Sequence, residues 1–141
     1  MAIAMGKKCF NCKTKFVDNF KKLFKSFRYA SRGLKYALKN EQNFQLELLG
    51  GIFVIIIMFL FPTRNLEKIA LFIVIFAVLV IELINTIFER VVDMLKPRVH
   101  PYAQLVKDIM AAAVLLSSIG AVIVGVIIFY PYIKDLLVGG I

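Results

Sequence analysis

The sequence predicts an all-α integral membrane protein, with three transmembrane helices preceded by an amphipathic helix lying in the membrane interface. Three observations lead there. Hydrophobic residues make up 60% of the 141 positions, against roughly 45–50% in soluble domains, and they are concentrated in three blocks. Residues 1–45 hold eleven Lys and Arg against only Asp18 and Glu41. The second apolar block carries Glu82, Asn85, Glu89 and Asp93, groups that hydrocarbon does not accept without partners or water. A chain this short leaves little room for a separate soluble catalytic domain, so any chemistry must be built on the membrane helices and their ends.

Residues 1–15 read as a basic, flexible tail, and 16–141 as one membrane domain. From Phe16 the apolar residues Phe16, Phe20, Leu23, Phe24, Phe27, Ala30, Leu34 and Leu38 recur every three or four positions with Lys and Arg between them. That spacing predicts an amphipathic surface helix over 16–42, rings inserted and charges facing anionic headgroups. Gly33 would allow a bend or a close approach. The basic segment runs straight into apolar blocks, which argues against nucleic-acid binding. Cys9 and Cys12 form one CxxC. Zinc would need a second ligand pair and a redox motif a thioredoxin-like context, so the pair reads as incidental. No contiguous apolar stretch of signal-peptide type follows the N-terminal lysines.

The spans are predicted at 44–62, 66–94 and 104–133. Leu48–Phe61 is uncharged but short, and needs Phe44–Glu47 in the interface to cross ~30 Å of hydrocarbon. Pro62, Thr63, Arg64 and Asn65 form a turn. The second span runs without Gly or Pro to about Leu95, where Pro97 and Pro101 break the chain in a basic loop over 96–104. The third, Ile109–Ile133, is uncharged, and its Ala111–Ala113, Ser117, Ser118, Gly120, Ala121 and Gly125 are small residues that let helices approach. Tyr130 and Tyr132 resemble an interfacial aromatic belt. The excess of basic charge keeps the N-terminus and the 96–104 loop on the cytoplasmic side.

At about 100° per residue, Glu82, Asn85, Glu89 and Asp93 fall at about 0°, 300°, 340° and 20°, one stripe on one helix face. The stripe descends about 16 Å toward the cytoplasmic surface, where Glu41, Glu47, Lys107 and Asp108 also gather. Carboxylates and an amide beside lysines suit a Mg²⁺–phosphate partner, since Mg²⁺ takes one or two carboxylates plus phosphate oxygens and water. A carboxylate deeper in the bilayer, such as Glu82, would serve as general base on a lipid hydroxyl. No GxxxxGK[ST] or Gly-rich kinase loop occurs, so a nucleotide site here would be of another kind.

The segment ELINTIFERVVD at 82–93, followed fourteen residues after Asp93 by Lys107-Asp108 and then alanines, resembles the signature of the prokaryotic diacylglycerol kinase family, which includes undecaprenol kinases. RGLKYALKNEQNF at 32–44 resembles its surface-helix segment, and the likeness covers roughly residues 22–130. It implies a homotrimer of three-span subunits in the bacterial cytoplasmic membrane, transferring phosphate from ATP to a lipid alcohol. It also implies roles. Glu82 matches the catalytic base, and Glu41 and Glu89 the Mg²⁺ carboxylates. Lys22, Tyr29, Lys107, Asp108 and the loop around Arg98, Val99 and His100 match nucleotide contacts. Glu47, Asn85, Asp93 and Ala111 match the substrate side and the active-site helix. The NEQNF stretch resembles the undecaprenol branch more closely. The competing expectation is a non-catalytic transporter or proton-conducting oligomer, because buried carboxylates also relay protons.

Overall fold

The computed structural model describes the backbone of residues 3–95 and 102–138 and the side chains of residues 21–94 and 102–138. Four helices follow one another: α1 (Ile3–Asn40), α2 (Gln42–Leu60), α3 (Asn65–Leu95) and α4 (Tyr102–Val138). The last three are each long and apolar enough to cross a membrane, with mean hydropathies of 2.0, 2.7 and 2.7. The chain is therefore a multi-pass membrane protein.

α1 forms one unit (residues 1–39) and the three spans another (residues 40–141). Within α1 the described cations Lys21, Lys22, Lys25, Arg28, Arg32, Lys35 and Lys39 fall within about 140° of the helix circumference at 100° per residue. Leu23, Phe27 and Leu34 occupy the opposite side, and all three are exposed. This is the amphipathic partition the spacing predicts. The helix reaches back to Ile3, into the segment expected to be flexible. It also continues without interruption through Gly33, where an added Cβ would meet nothing within 4 Å.

Helical structure is interrupted at Glu41, between the end of α1 at Asn40 and the start of α2 at Gln42. Glu41 is the N-cap of α2, in extended backbone (φ −107°, ψ 107°), and its side chain makes no capping hydrogen bond. Its carbonyl does accept the first bond of α2, from the Gln45 amide at 3.2 Å. The carboxylate is thus left for a partner outside its own helix.

α2 returns antiparallel into α3 through residues 61–64. The Thr63 hydroxyl donates to the Met58 carbonyl at 3.1 Å, occupying one of the free acceptors at the end of α2. The Arg64 amide donates to Glu67 Oε2 at 2.8 Å, so Glu67 closes the start of α3 as the third residue of a capping box would. Tyr132 of α4 donates its hydroxyl to the same oxygen at 2.6 Å. Phe61 stacks at a tilt on Phe129 and Tyr132, with centroids 6.1 and 6.2 Å away. Tyr132 is therefore tied into the bundle, where a belt residue facing headgroups was expected. Met58, Leu71 and Phe129 form the buried core of this end.

The glycine expectation changes more. Gly120 and Gly125 bring no helix close within the chain, since a Cβ on either would meet nothing within 4 Å. The close approach is on α2 instead, where a Cβ on the buried Gly51 would lie 2.9 Å from Ile75 Cγ2 of α3. Gly50 and Gly125 border an apolar groove of about 560 Å³ between α2 and α4. α4 begins at Tyr102, so Lys107 and Asp108 lie inside its second turn, and it continues through Pro131 to Val138.

Candidate active site

The end of the bundle opposite residues 61–64 is held by two ion pairs. Arg90 Nη2 of α3 donates to Glu41 Oε1 at 2.5 Å. Lys107 Nζ of α4 donates to Asp93 Oδ1 of α3 at 2.7 Å. The first fastens the start of α2 to α3. The second fastens α3 to α4 across the 96–101 segment. Arg98, Val99 and His100 lie outside the described residues.

Between these pairs the polar stripe turns into the bundle. Glu82, Asn85 and Thr86 are 2%, 4% and 8% exposed, while Ile84, Ile87 and Phe88 on the other face of α3 are open. That is the reverse of a soluble protein's polarity and suits a helix whose outer face meets lipid. Asn85 Nδ2 donates to Glu89 Oε1 at 3.1 Å, one helical turn along, which fixes that carboxylate against α3. Within the predicted stripe Asn85 and Glu89 are thus joined directly, while Asp93 is held by Lys107 of α4.

A deeper tier lies beyond. From Asp93 to Glu82, and from Lys107 to Ser118, each helix climbs about 16 Å at 1.5 Å per residue. At that level Ser118 donates its hydroxyl to Glu47 Oε1 at 3.2 Å, joining α4 to α2. Glu47 and Ser118 also close one end of the apolar groove, which runs on toward Phe129 and Ile133.

Among the described residues, Glu47 Oε2, Glu82 Oε2 and Asn85 Oδ1 are buried with no hydrogen-bond partner. Each is an acceptor, and leaving buried acceptors unsatisfied is costly. Three of them in one region call for a ligand that brings donors or positive charge. A lipid hydroxyl and a cation are both of that kind.

The other expected contacts are exposed side chains. Asp108 is exposed and accepts from Gln104 of its own helix at 2.9 Å. Ala111 is exposed. On α1, Lys22 and Tyr29 are exposed, and Lys25 Nζ sits 5.9 Å from the centroid of the Tyr29 ring. Sequence reasoning missed Arg90 and the donor role of Ser118. Arg90 follows Glu89 but falls outside the stripe at helical spacing. Ser118 stood among small residues and gave no signal of its own.

The family model for prokaryotic diacylglycerol kinase matches residues 28–129, which contain both ion pairs, the stripe and the deeper tier. The chain belongs to the prokaryotic diacylglycerol kinase family. It is 33% identical to an undecaprenol kinase of Bacillus subtilis, over 81% of this chain and 93% of the relative. It is 37% identical to a diacylglycerol kinase of a Synechocystis species, over 82% of this chain and 67% of the relative. A diacylglycerol kinase of Escherichia coli is 27% identical over 80% of this chain and 93% of its own. Membership makes this prokaryotic diacylglycerol kinase family member a membrane lipid kinase.

Proposed function

We propose that this chain transfers the γ-phosphate of ATP to the hydroxyl of a membrane lipid alcohol, diacylglycerol or undecaprenol, at a Mg²⁺-dependent site on the cytoplasmic side of the bacterial cytoplasmic membrane, and that it works as a homotrimer. The observation that carries the reading is the buried, unsatisfied Glu82 carboxylate beside the Asn85–Glu89 pair, in a chain of this family.

The donors available are carboxylate oxygens, the kind Mg²⁺ takes, although among the described residues no three His, Cys, Asp or Glu gather to hold a metal ion. Mg²⁺ commonly binds through one or two carboxylates and completes its shell with phosphate and water. Glu41 and Glu89 would hold it, where it would neutralise charge on the transferring phosphoryl group. The chain's own groups supply the rest. Asn85 holds Glu89 in one orientation. Glu82 Oε2 accepts the proton of the lipid hydroxyl as that oxygen attacks phosphorus. Lys107, kept near the site by Asp93, offers its charge to a phosphate oxygen. The groove beyond Glu47 and Ser118 is apolar enough for a lipid tail.

The test is phosphorylation of both lipids offered in competition, with Mg-ATP and purified protein in bilayer mimics. Glu82→Gln and Glu89→Gln should each lower turnover by about 10²–10⁴-fold, the range of general-base and charge-stabilising groups, with melting temperature and oligomeric state retained. Turnover of Glu82→Gln at the parent rate would remove Glu82 as the base. Ion flux in vesicles without lipid phosphorylation would favour a conducting oligomer.

A further inference from the structure

Arg90 has no place in the reading above, yet it makes the tightest contact at the site. Its guanidinium holds Oε1 of Glu41 at 2.5 Å, with side-chain exposures of 52% for the arginine and 15% for the glutamate. Glu41 is available for this contact because its side chain does not cap its own helix. A cation at this point has a clear electrostatic reason. Through this contact Glu41 is brought against α3, the helix that carries the carboxyl groups of Glu82 and Glu89. Without a counter-charge, bringing Glu41 against α3 would oppose assembly of the site.

A divalent ion on Glu41 would supply the same compensation and compete for the same carboxylate. A guanidinium and a doubly charged ion repel when they share it. The arginine has the freedom to yield, because its head is half exposed on a long stem. A polyphosphate arriving with the ion offers it a new acceptor, and the planar fork of arginine matches phosphate oxygens. Arg90 directly follows Glu89 in the chain.

We propose that Arg90 is the exchangeable counter-ion of this site: it neutralises Glu41 until a divalent cation takes that carboxylate, and then pairs with a phosphate oxygen of the nucleotide. The inference rests on the reading of Glu41 as a metal carboxylate. Arg90 is thus a positioning residue for Glu41 and a specificity element for a phosphate-bearing donor.

The experiment uses the full chain in detergent with Mn²⁺ alone as the spin-active probe, followed by steady-state kinetics with Mg-ATP. Arg90→Met should bind Mn²⁺ about two- to fivefold more tightly than the parent, the scale of releasing one partly exposed ion pair. Arg90→Lys should fall between, because an ammonium keeps the charge but loses the fork. In a Glu41→Gln background, itself weaker for Mn²⁺, Arg90→Met should change nothing further, which separates a direct pair from a general charge effect. Arg90→Met should also raise KM for Mg-ATP more than it lowers kcat. If Arg90→Met leaves Mn²⁺ affinity unchanged while Glu41→Gln weakens it, the counter-ion role is overturned and the metal role of Glu41 stands. If Glu41→Gln also leaves Mn²⁺ affinity unchanged, both fall. An unchanged KM overturns the transfer to phosphate. Should Arg90→Met fail to fold, Arg90→Lys carries the same comparison, with tighter Mn²⁺ binding expected.

Discussion

Lys107 shows how a single side chain can be structural and chemical at once. Its ammonium lies 2.7 Å from Asp93 Oδ1 and both side chains are partly exposed. As an ion pair alone this is worth about 0–1 kcal/mol. As a point charge offered to phosphate it is worth more, and the two roles separate by mutation. Lys107→Met and Asp93→Asn should each lower the melting temperature slightly and by similar amounts. Lys107→Met alone should raise KM for ATP by about tenfold, roughly 1.4 kcal/mol. Equal and small kinetic effects in the two variants would reduce Lys107 to a helix clasp. The residues in the stripe were legible because helical spacing put Glu82, Asn85, Glu89 and Asp93 on one face of an otherwise apolar run. Arg90 and Ser118 were not, because their roles depend on which distant residue arrives beside them. Glu41 lies 49 positions from Arg90 and Glu47 lies 71 from Ser118, and neither separation leaves a periodic trace.

Among the elements, α2 depends most on a single small residue. It is the shortest of the three spans, at 19 residues, and it places both Glu41 and Glu47. Its register against α3 is set where Gly51 meets Ile75, with room for no further carbon. A methyl group there must displace the branched end of Ile75, and overpacking of this kind costs about 1–3 kcal/mol. Gly51→Ala should therefore lower the melting temperature of the detergent-solubilised protein by several degrees. Gly33→Ala in the open stretch of α1 should be neutral or stabilising by about 0.5–1 kcal/mol, the propensity gain of Ala over Gly in a helix. Thermal denaturation of the two variants in parallel makes the comparison, and equal behaviour would remove Gly51 as the point of contact. The spans themselves were legible, since length and hydropathy specify a membrane helix almost without context. Which glycine is used was not. Gly51 and Gly125 both lie in apolar runs, and the rotation of each helix decides which one faces a neighbour.

For the whole molecule, the governing asymmetry is between its two ends. One holds an aromatic and capping clasp: Phe61, Phe129, Tyr132 and Glu67. The other holds the two ion pairs and the acidic stripe. The proposed use of cytosolic ATP requires the second end to face inward, the orientation that the positive-inside rule expects from a lysine- and arginine-rich N-terminal segment. The orientation is testable with residues already in the chain. Cys9 and Cys12 are its only cysteines, so in intact cells a membrane-impermeant maleimide should not label the parent protein until the membrane is opened. Asn65→Cys, placed at the turn end in a Cys9→Ser, Cys12→Ser background, should be labelled at once. The reverse pattern would put Glu82 and Lys107 on the face that lacks ATP, and the proposed donor would have to be abandoned even if every residue of the stripe proved essential.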